Sequence, residues 1–226
     1  MPRTSGWRSI TLLTALMIGL LVGFAIWGRQ LQQLAPVIAL DSWAAAMCET
    51  WRRPYWDVSL HGLTMLGAGI VVTAFTAIGS GMAILNGRAV TALQIILASG
   101  GAGLMSRLLK IAVERERPAL LPALTDFNGF SFPSGHALLA SALYLTLAFI
   151  AQRTLRYRVG NFALATAILA IVVIAFSRIY LRVHFASDVV AGLALGICWA
   201  LLVDRVLRPF VLREPQRKND SSSQRS

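Results

Sequence analysis

The stretch SRIYLRVHFASD (residues 177–188) separates two long apolar runs, NFALATAILAIVVIAF before it and VVAGLALGICWALLV after it. Within these residues lie Arg178, Arg182, His184 and Asp188. Ionisable groups at the edge of a membrane are costly unless they face water, a partner or a ligand. The stretch therefore predicts a junction between two membrane helices that also carries a functional site.

The composition of the whole chain is that of a membrane protein. Of its 226 residues, 56% are hydrophobic and 14% are charged, and the mean hydropathy is +0.65. A soluble domain carries about 25% charged residues. Apolar runs of roughly 20 residues are long enough to cross a bilayer. We therefore predict an all-α polytopic membrane protein with about six spans, at 9–28, 59–79, 89–109, 136–152, 161–178 and 186–206.

The predicted spans form one domain, residues 1–210, followed by a polar tail, residues 211–226, that we expect to be disordered and cytoplasmic. The net charge is +11, and the basic residues lie between the apolar runs. It therefore indicates contact with lipid headgroups, and we expect no nucleic-acid partner. Twelve Lys and Arg residues fall on the side of the two termini and nine on the other, which predicts cytoplasmic termini. The sequence carries no signal for an oligomeric state.

The first outer loop, residues 29–58, is rich in aromatic residues, which anchor segments at headgroup depth. Its stretch LDSWAAAMCETWRR (residues 40–53) predicts an interfacial helix capped by Asp41 or Ser42. His61 follows this loop and belongs to no motif, so we interpret it as structural.

The segment KIAVERERP (residues 110–118) leaves the outer end of the third span. Lys110 and Arg117 are seven residues apart, so on a helix that continues to Pro118 both point the same way. The alternative is that they are cations snorkelling at a helix end. We expect Glu114 and Glu116 to pair with neighbouring arginines.

The segment FPSGH (residues 132–136) opens the fourth span. Ser134 is suited to cap the helix, Gly135 leaves the backbone open, and His136 falls in the first turn. Free N–H groups at a helix start bind anions. The alternative is an ordinary junction between a turn and a helix.

In residues 177–188, Arg178 ends the fifth span, and His184 and Asp188 open the sixth. Residues four apart share one helical face, where a carboxylate can hold the N–H of an imidazole. A lone histidine is more often structural, but a histidine with such an aspartate at a membrane boundary favours function.

Counting spans places all three segments on the outer face of the membrane. Together they supply cations, an anion-binding helix start, two imidazoles and a carboxylate, which fits phosphate binding and cleavage. One imidazole would attack phosphorus and the other would protonate the leaving oxygen. No acidic cluster suited to Mg²⁺ occurs in the sequence, so we expect neither a metal nor another cofactor.

The three motifs, K-x6-RP, PSGH and SR-x5-H-x3-D, resemble those of the type 2 phosphatidic acid phosphatases, the PAP2 family, which shares its site with vanadium haloperoxidases. The resemblance implies a PAP2/haloperoxidase-like helical bundle. It also implies that His184 is a nucleophile forming a phosphohistidine, that Asp188 orients it, and that His136 is the general acid. The phosphate-binding residues that it implies are Lys110, Arg117, Ser134, Gly135 and Arg178.

The resemblance further implies a bacterial cytoplasmic (inner) membrane enzyme with its active site on the periplasmic face. Its membrane lipid phosphate substrate would be undecaprenyl diphosphate, phosphatidylglycerol phosphate, phosphatidate or lipid A. A lipid-to-lipid phosphotransferase would use the same residues, whereas haloperoxidase relatives are soluble. A transporter would carry ionisable groups in mid-span, and the predicted spans contain few. Residues 119–132, mostly apolar, would guide the lipid chains.

Overall fold

The computed structural model describes residues 4–118 and 129–214, with side chains from residue 11 onward. The predicted all-α class is confirmed, since the regular structure within these ranges is helical apart from turns. The helices are α1 Thr4–Leu31, α2 Ala35–Thr50, α3 Pro54–Thr64, α4 Gly69–Leu85, α5 Ala89–Val113, α6 Gly135–Thr154, α7 Tyr157–Tyr180 and α8 Ala186–Val211.

About six membrane spans were predicted, and the described residues agree with this by containing five to six candidate spans. Five single helices are long and apolar enough to cross a bilayer: Thr11–Leu31, Ala89–Val113, Gly135–Thr154, Tyr157–Tyr180 and Ala186–Val211. Helices α3 and α4, joined by the 3-10 turn Met65–Gly67 and bent by 44°, meet the same test together, as a broken sixth span or a re-entrant segment. The predicted span 59–79 is therefore the middle of a longer, broken segment.

The break in that segment allows the backbone to approach α6 and α7 closely. Ala68 is extended, with φ −67° and ψ 143°, which ends the 3-10 turn. A Cβ at Gly67 would lie 2.7 Å from Cγ2 of Ile174 and 3.2 Å from the carbonyl oxygen of His136. Glycine is therefore required where this turn packs beside the first turn of α6.

The predicted interfacial helix exists as α2, but its predicted cap is wrong. The helix begins at Ala35, with Leu34 at the N-cap position and a proline in its first turn. Asp41 lies inside the helix and is buried. Its carboxylate accepts hydrogen bonds from the backbone N–H of Ser187, at 2.8 Å, and from the Ser187 hydroxyl, at 2.7 Å. Asp41 therefore caps the start of α8 and leaves its own helix without a side-chain cap.

The main core lies where α5, α6 and α8 meet. Trp199 of α8 is buried, and its indole N–H donates to the carbonyls of Leu97, at 3.0 Å, and Ala98, at 3.1 Å. Gly101 makes room for the ring, because a Cβ there would lie 2.4 Å from Cζ2 of Trp199. Buried apolar side chains fill the rest of this seam: Met105, Leu109, Leu138, Ala142, Leu195 and Val203.

Two glycines of α8 bring its backbone against α6. A Cβ at Gly192 would lie 2.6 Å from the carbonyl oxygen of Ser134, and one at Gly196 would lie 2.6 Å from that of Leu138. The starts of the two helices are joined as well, since the N–H of Ser134 donates to the carbonyl of Asp188 at 3.0 Å. This contact brings the PSGH segment and the C-terminal motif together.

At the opposite end of the bundle, the first residues of the predicted tail contact α5. Helix α8 continues to Val211, and the Glu214 carboxylate accepts from the backbone N–H of Val90. The Thr91 hydroxyl donates to the same carboxylate at 2.6 Å. A carboxylate at a helix N-terminus is favourable, so Glu214 fastens the end of α8 to the start of α5. Residues 215–226, for which disorder was predicted, lie outside the described residues.

Replacing Gly196 with alanine should destabilise the protein. The added Cβ would lie 2.6 Å from a backbone oxygen of α6 and 2.8 Å from Cβ of Ser141, so the helices must separate. Overpacking of this kind costs about 1–3 kcal/mol. We expect a lower melting temperature in detergent solution.

Gly100→Ala is the matched control, because a Cβ at Gly100 meets nothing within 4 Å. It should leave the melting temperature unchanged or raise it, since alanine loses less backbone entropy in a helix. Equal losses in the two variants would show that α6 and α8 are not packed as described.

Candidate active site

The three motif segments meet at one end of the bundle. Beyond the contact between Ser134 and Asp188, the Lys110 ammonium donates to the carbonyl of Phe130. The Arg117 guanidinium donates to the carbonyl of Val183 at 2.9 Å. Residues far apart in sequence are thus neighbours, as the count of spans predicted.

The first segment reaches the site by a route that differs from the predicted one. Helix α5 ends at Val113, and Glu114 takes the left-handed conformation with φ 53°. The helix therefore stops before Pro118, and the predicted helical alignment of Lys110 with Arg117 is wrong. Lys110 lies in the last turn of α5, whereas Arg117 lies on the irregular chain that follows.

Backbone carbonyls hold both cations. Lys110 donates to Phe130, and Arg117 donates through Nε to Gly129 and through Nη1 to Val183, each at 2.9 Å. A carbonyl fixes a cation without cancelling its charge, because it is a neutral acceptor. These contacts fix the positions of the two cations beside the motif segments.

The second segment presents a buried hydroxyl. Ser134 occupies the N-cap position of α6, but its side chain makes no capping hydrogen bond, so the predicted side-chain cap is wrong. Its Oγ is buried and has no hydrogen-bond partner among the described residues. Such a group costs free energy unless a ligand or water satisfies it. Gly135 begins the helix and His136 follows in its first turn, as predicted.

Arg178 organises the third segment. It lies in the last turn of α7, is buried, and donates to the Thr64 hydroxyl at 3.0 Å. Its carbonyl oxygen accepts from the N–H groups of Val183, at 3.2 Å, and His184, at 3.3 Å. These bonds close the turn after α7 and fix the backbone that carries His184.

His184 and Asp188 are neighbours, but they are not on one helical face as predicted, because α8 begins only at Ala186. Nδ1 of His184 lies 3.7 Å from Oδ2 of Asp188, too far for a direct hydrogen bond. The Ser131 hydroxyl donates to that carboxylate oxygen, and its Oγ lies 3.3 Å from Nδ1. Ser131 therefore bridges the pair, a role that sequence spacing did not signal.

The environment of His184 favours its neutral form. Burial lowers its pKa to about 4, although the nearby Asp188 carboxylate opposes this effect. Because Nδ1 faces Ser131 and Asp188, it is the nitrogen suited to carry the proton. Nε2 is then left with a lone pair at neutral pH, as a nucleophile requires.

Arg115 is a second neighbour of Asp188 that sequence reasoning missed. Its Nη1 lies 2.6 Å from Oδ1 of Asp188 and donates to the Ser187 hydroxyl at 2.7 Å. Its guanidinium carbon lies 4.0 Å from the centroid of the Phe185 ring. The expectation that Glu114 and Glu116 pair with neighbouring arginines is wrong for Arg115, because the chain reversal at Glu114 turns this side chain inward. In the sequence, ERER is typical of a solvated charged run.

The remaining imidazole completes the cluster. His136 is close enough to Arg178, His184, Arg117 and Lys110 for their charges to act on it. Two imidazoles and three cations therefore lie near one another, a set of groups that suits a tetrahedral anion. Residues 119–132 were predicted to guide the lipid chains. Of these, residues 119–128 lie outside the described residues.

Comparison with known proteins identifies the family. The model of the PAP2 superfamily matches residues 91–211, which include all three motif segments. The chain belongs to the PAP2 superfamily. It is 32% identical over 155 residues to phosphatidylglycerophosphatase B of Bacillus subtilis (strain 168), covering 67% of this chain and 75% of that protein.

Further relatives of this PAP2 protein agree with that assignment. It is 35% identical over 109 residues to a lipid A 1-phosphatase of Rhizobium etli, covering 44% of this chain and 43% of that protein. The crystal structure of a transmembrane PAP2 type phosphatidylglycerolphosphate phosphatase from Bacillus subtilis superimposes with a TM-score of 0.72. At 26% identity, that match covers 90% of this chain and 97% of the other. This PAP2 protein is therefore a multi-pass membrane enzyme, a phosphoric monoester hydrolase.

Replacing Ser131 with alanine should slow this PAP2 enzyme without unfolding it. The change removes the hydroxyl between His184 and Asp188 and leaves their 3.7 Å separation unbridged. Loss of a comparable outer partner typically costs 10- to 100-fold, and we expect a fall of roughly that size in kcat. Steady-state phosphate release measures it.

Ser141→Ala is the matched control, since Ser141 is equally buried but donates only within α6, to the Ala137 carbonyl at 2.7 Å. Its activity should match that of the unmodified enzyme. A Ser131→Ala enzyme as active as this control would exclude the bridging role.

Proposed function

We propose that this PAP2 enzyme hydrolyses the phosphomonoester or diphosphate headgroup of a membrane lipid through a phosphohistidine intermediate, without a metal ion. The observation that carries the proposal is the grouping of His184, backed by Asp188, with His136 and three cations. The buried Ser134 hydroxyl, which has no partner in the described parts of the chain, supports it further. An anion of three equatorial oxygens would satisfy these donors together.

In the first step, Nε2 of His184 attacks phosphorus while the bond from phosphorus to the lipid oxygen breaks. His136 gives a proton to that oxygen, so the lipid leaves as an alcohol or as a lipid monophosphate. The residues that stabilise the charge on the transferring phosphoryl group are Lys110, Arg117, Arg178, Ser134 and the backbone N–H of Gly135. The Asp188 carboxylate stabilises the positive charge that develops on the His184 ring.

In the second step, water takes the position that the lipid oxygen has left. His136, now neutral, accepts a proton from this water as it attacks phosphorus. The bond between phosphorus and Nε2 breaks, inorganic phosphate departs, and His184 returns to its neutral form. Each residue thus ends the cycle as it began, and no electron donor or acceptor is needed.

For the substrate, we propose phosphatidylglycerol phosphate first. Support comes from the similarity to the Bacillus phosphatidylglycerophosphatase B, which extends over 67% of this chain. Lipid A is the second candidate, on the strength of 35% identity to a lipid A 1-phosphatase over a shorter region. Undecaprenyl diphosphate and phosphatidate present the same terminal phosphate chemistry, so they belong in the same assay.

We also propose the topology that the charge distribution favours. Both termini would be cytoplasmic, and the site would face the periplasm of a bacterial inner membrane. The single catalytic domain would comprise residues 1–210, with residues 211–226 as a polar cytoplasmic tail. A site on that face would act on lipids after they have been moved to the outer leaflet.

Replacing His184 with alanine should abolish turnover, because no nucleophile remains. Asp188→Asn should keep the fold and lower kcat by ~10³ or more, as for other carboxylates that orient a histidine. His61→Ala is the control, since His61 lies in the last turn of α3 and belongs to no motif. Near-native phosphate release by the His184 or Asp188 variant would refute the mechanism.

Purified enzyme should release phosphate from a lipid in the presence of a chelator, and orthovanadate should inhibit it. The panel comprises phosphatidylglycerol phosphate, lipid A, undecaprenyl diphosphate and phosphatidate, with phosphatidylglycerol phosphate expected to give the highest kcat/KM. Loss of activity with chelator, restored by a divalent metal, would exclude the metal-free mechanism. Phosphate passed to an added lipid alcohol without release to water would identify a phosphotransferase instead.

A further inference from the structure

A buried chain of charges continues beyond Asp188 to helix α2. Nη2 of Arg115 lies 2.8 Å from Oδ2 of Asp41, while Nη1 of the same guanidinium lies 2.6 Å from Oδ1 of Asp188. The side chains of Arg115, Asp41 and Asp188 are 10%, 5% and 0% exposed, so water screens these charges little. One guanidinium is therefore shared between two carboxylates that lie on different helices.

The sharing decides how much negative charge reaches His184. Two carboxylates and one guanidinium carry a net charge of −1. Without Asp41, Arg115 would pair with Asp188 alone, and this pair would carry no net charge. A neutral pair stabilises the cationic His184 ring less well than a carboxylate whose counter-ion is partly engaged elsewhere.

We propose that Asp41 of α2 is a positioning residue that, acting through Arg115, maintains the negative charge that Asp188 presents to His184. The inference rests on the proposed function, in which His184 becomes positively charged during phosphoryl transfer. It adds a second carboxylate-bearing element, α2, to the machinery formed by α5 to α8.

The contacts of α2 separate this electrostatic role from simple docking. Glu49 of α2 pairs with Arg182 at 3.2 Å, and the N–H of Arg53 donates to the Tyr180 hydroxyl at 3.0 Å. Asp41 also accepts from the N–H of Ser187, but the amide oxygen of an asparagine caps a helix equally well. Asp41→Asn thus retains the shape and the cap and removes the charge.

Several other charged groups face His184, and none of them is altered in these variants. They come from α5, from the chain after it, from α6, from the end of α7 and from the turn before α8: Lys110, Arg117, His136, Arg178 and Arg182. Because this background is constant, a change in the pH profile reports on the network of Asp41, Arg115 and Asp188.

The test is the pH dependence of kcat/KM for phosphate release, measured for Asp41→Asn and Arg115→Gln. In Asp41→Asn, Arg115 faces Asp188 alone, so the pKa of His184 falls. The acid limb of the profile, where protonation of His184 removes activity, therefore moves to lower pH. In Arg115→Gln, two carboxylates remain without their cation, so the limb moves to higher pH. Each shift should be on the order of one pH unit, and kcat of Asp41→Asn should fall roughly tenfold.

Two controls keep the test decisive. Glu49→Gln removes an ion pair that joins α2 to the turn before α8. Its two side chains are 26% and 49% exposed, so water screens them, and the profile should match that of the unmodified enzyme. Asp41→Glu retains the charge and should restore the position of the acid limb. In an Asp188→Asn background, Asp41→Asn should cause no further loss, because the group through which it acts is already neutral.

The outcomes also separate this inference from the proposed function. If the unmodified enzyme releases no phosphate from any lipid, or if His184→Ala remains active, the proposed function fails. If the unmodified enzyme is active but the limbs of Asp41→Asn and Arg115→Gln stay in place or shift in the same direction, only the role of Asp41 is refuted. Melting temperatures of all variants show which ones fold. If Asp41→Asn does not, Asp41→Ser takes its place, because serine also caps a helix start and carries no charge.

Discussion

The burial of the Asp188 carboxylate is the constraint on which the rest of the site depends. A buried carboxylate is tolerated only when hydrogen bonds and an opposite charge compensate for lost hydration. Asp188 obtains them from the guanidinium of Arg115, the hydroxyl of Ser131 and the N–H of Phe185. These donors come from the chain after α5, the loop before α6 and the start of α8. Satisfying one carboxylate therefore brings three separate segments together.

Hydrogen bonds also position the cations of the site. Lys110 lies at the end of α5, and Arg178 lies at the end of α7. A backbone carbonyl holds Lys110 in place, and the Thr64 hydroxyl holds Arg178. Because these contacts fix the side chains, their positive charges are in position before a substrate arrives. Charge that is already in position requires little rearrangement during the reaction. Such preorganisation lowers the barrier to phosphoryl transfer.

The sequence was sufficient to predict the helical class, the number of spans and the convergence of the three motifs, because hydropathy and the order of the spans determine them. It was not sufficient where the backbone departs from a helix. The reversal at Glu114 ended α5 early, so the helical alignment of Lys110 with Arg117 failed and Arg115 turned inward. Ser131 was missed because its partners lie more than fifty residues away and are brought near only by packing.

Asp41 was missed for a related reason: an acidic residue near the start of a predicted helix is ordinarily read as its cap. Its partners are on another helix, and no local pattern identifies them. The grouping of the three motif segments was thus predictable from the order of the spans, whereas contacts between side chains of different helices were not.

The faces of helix α2 are arranged in the opposite way to those of a surface helix on a soluble protein. Asp41, Ala44 and Cys48 face inward, while Leu40 and Trp43 are exposed on the outside. An outward apolar face at the end of a bundle is suited to lipid rather than to water. Whatever amphiphile surrounds the protein, whether native lipid or detergent, therefore coats the helix that holds Asp41. The solubilising medium becomes a chemical variable of the enzyme, to be matched as carefully as pH or salt when two preparations are compared.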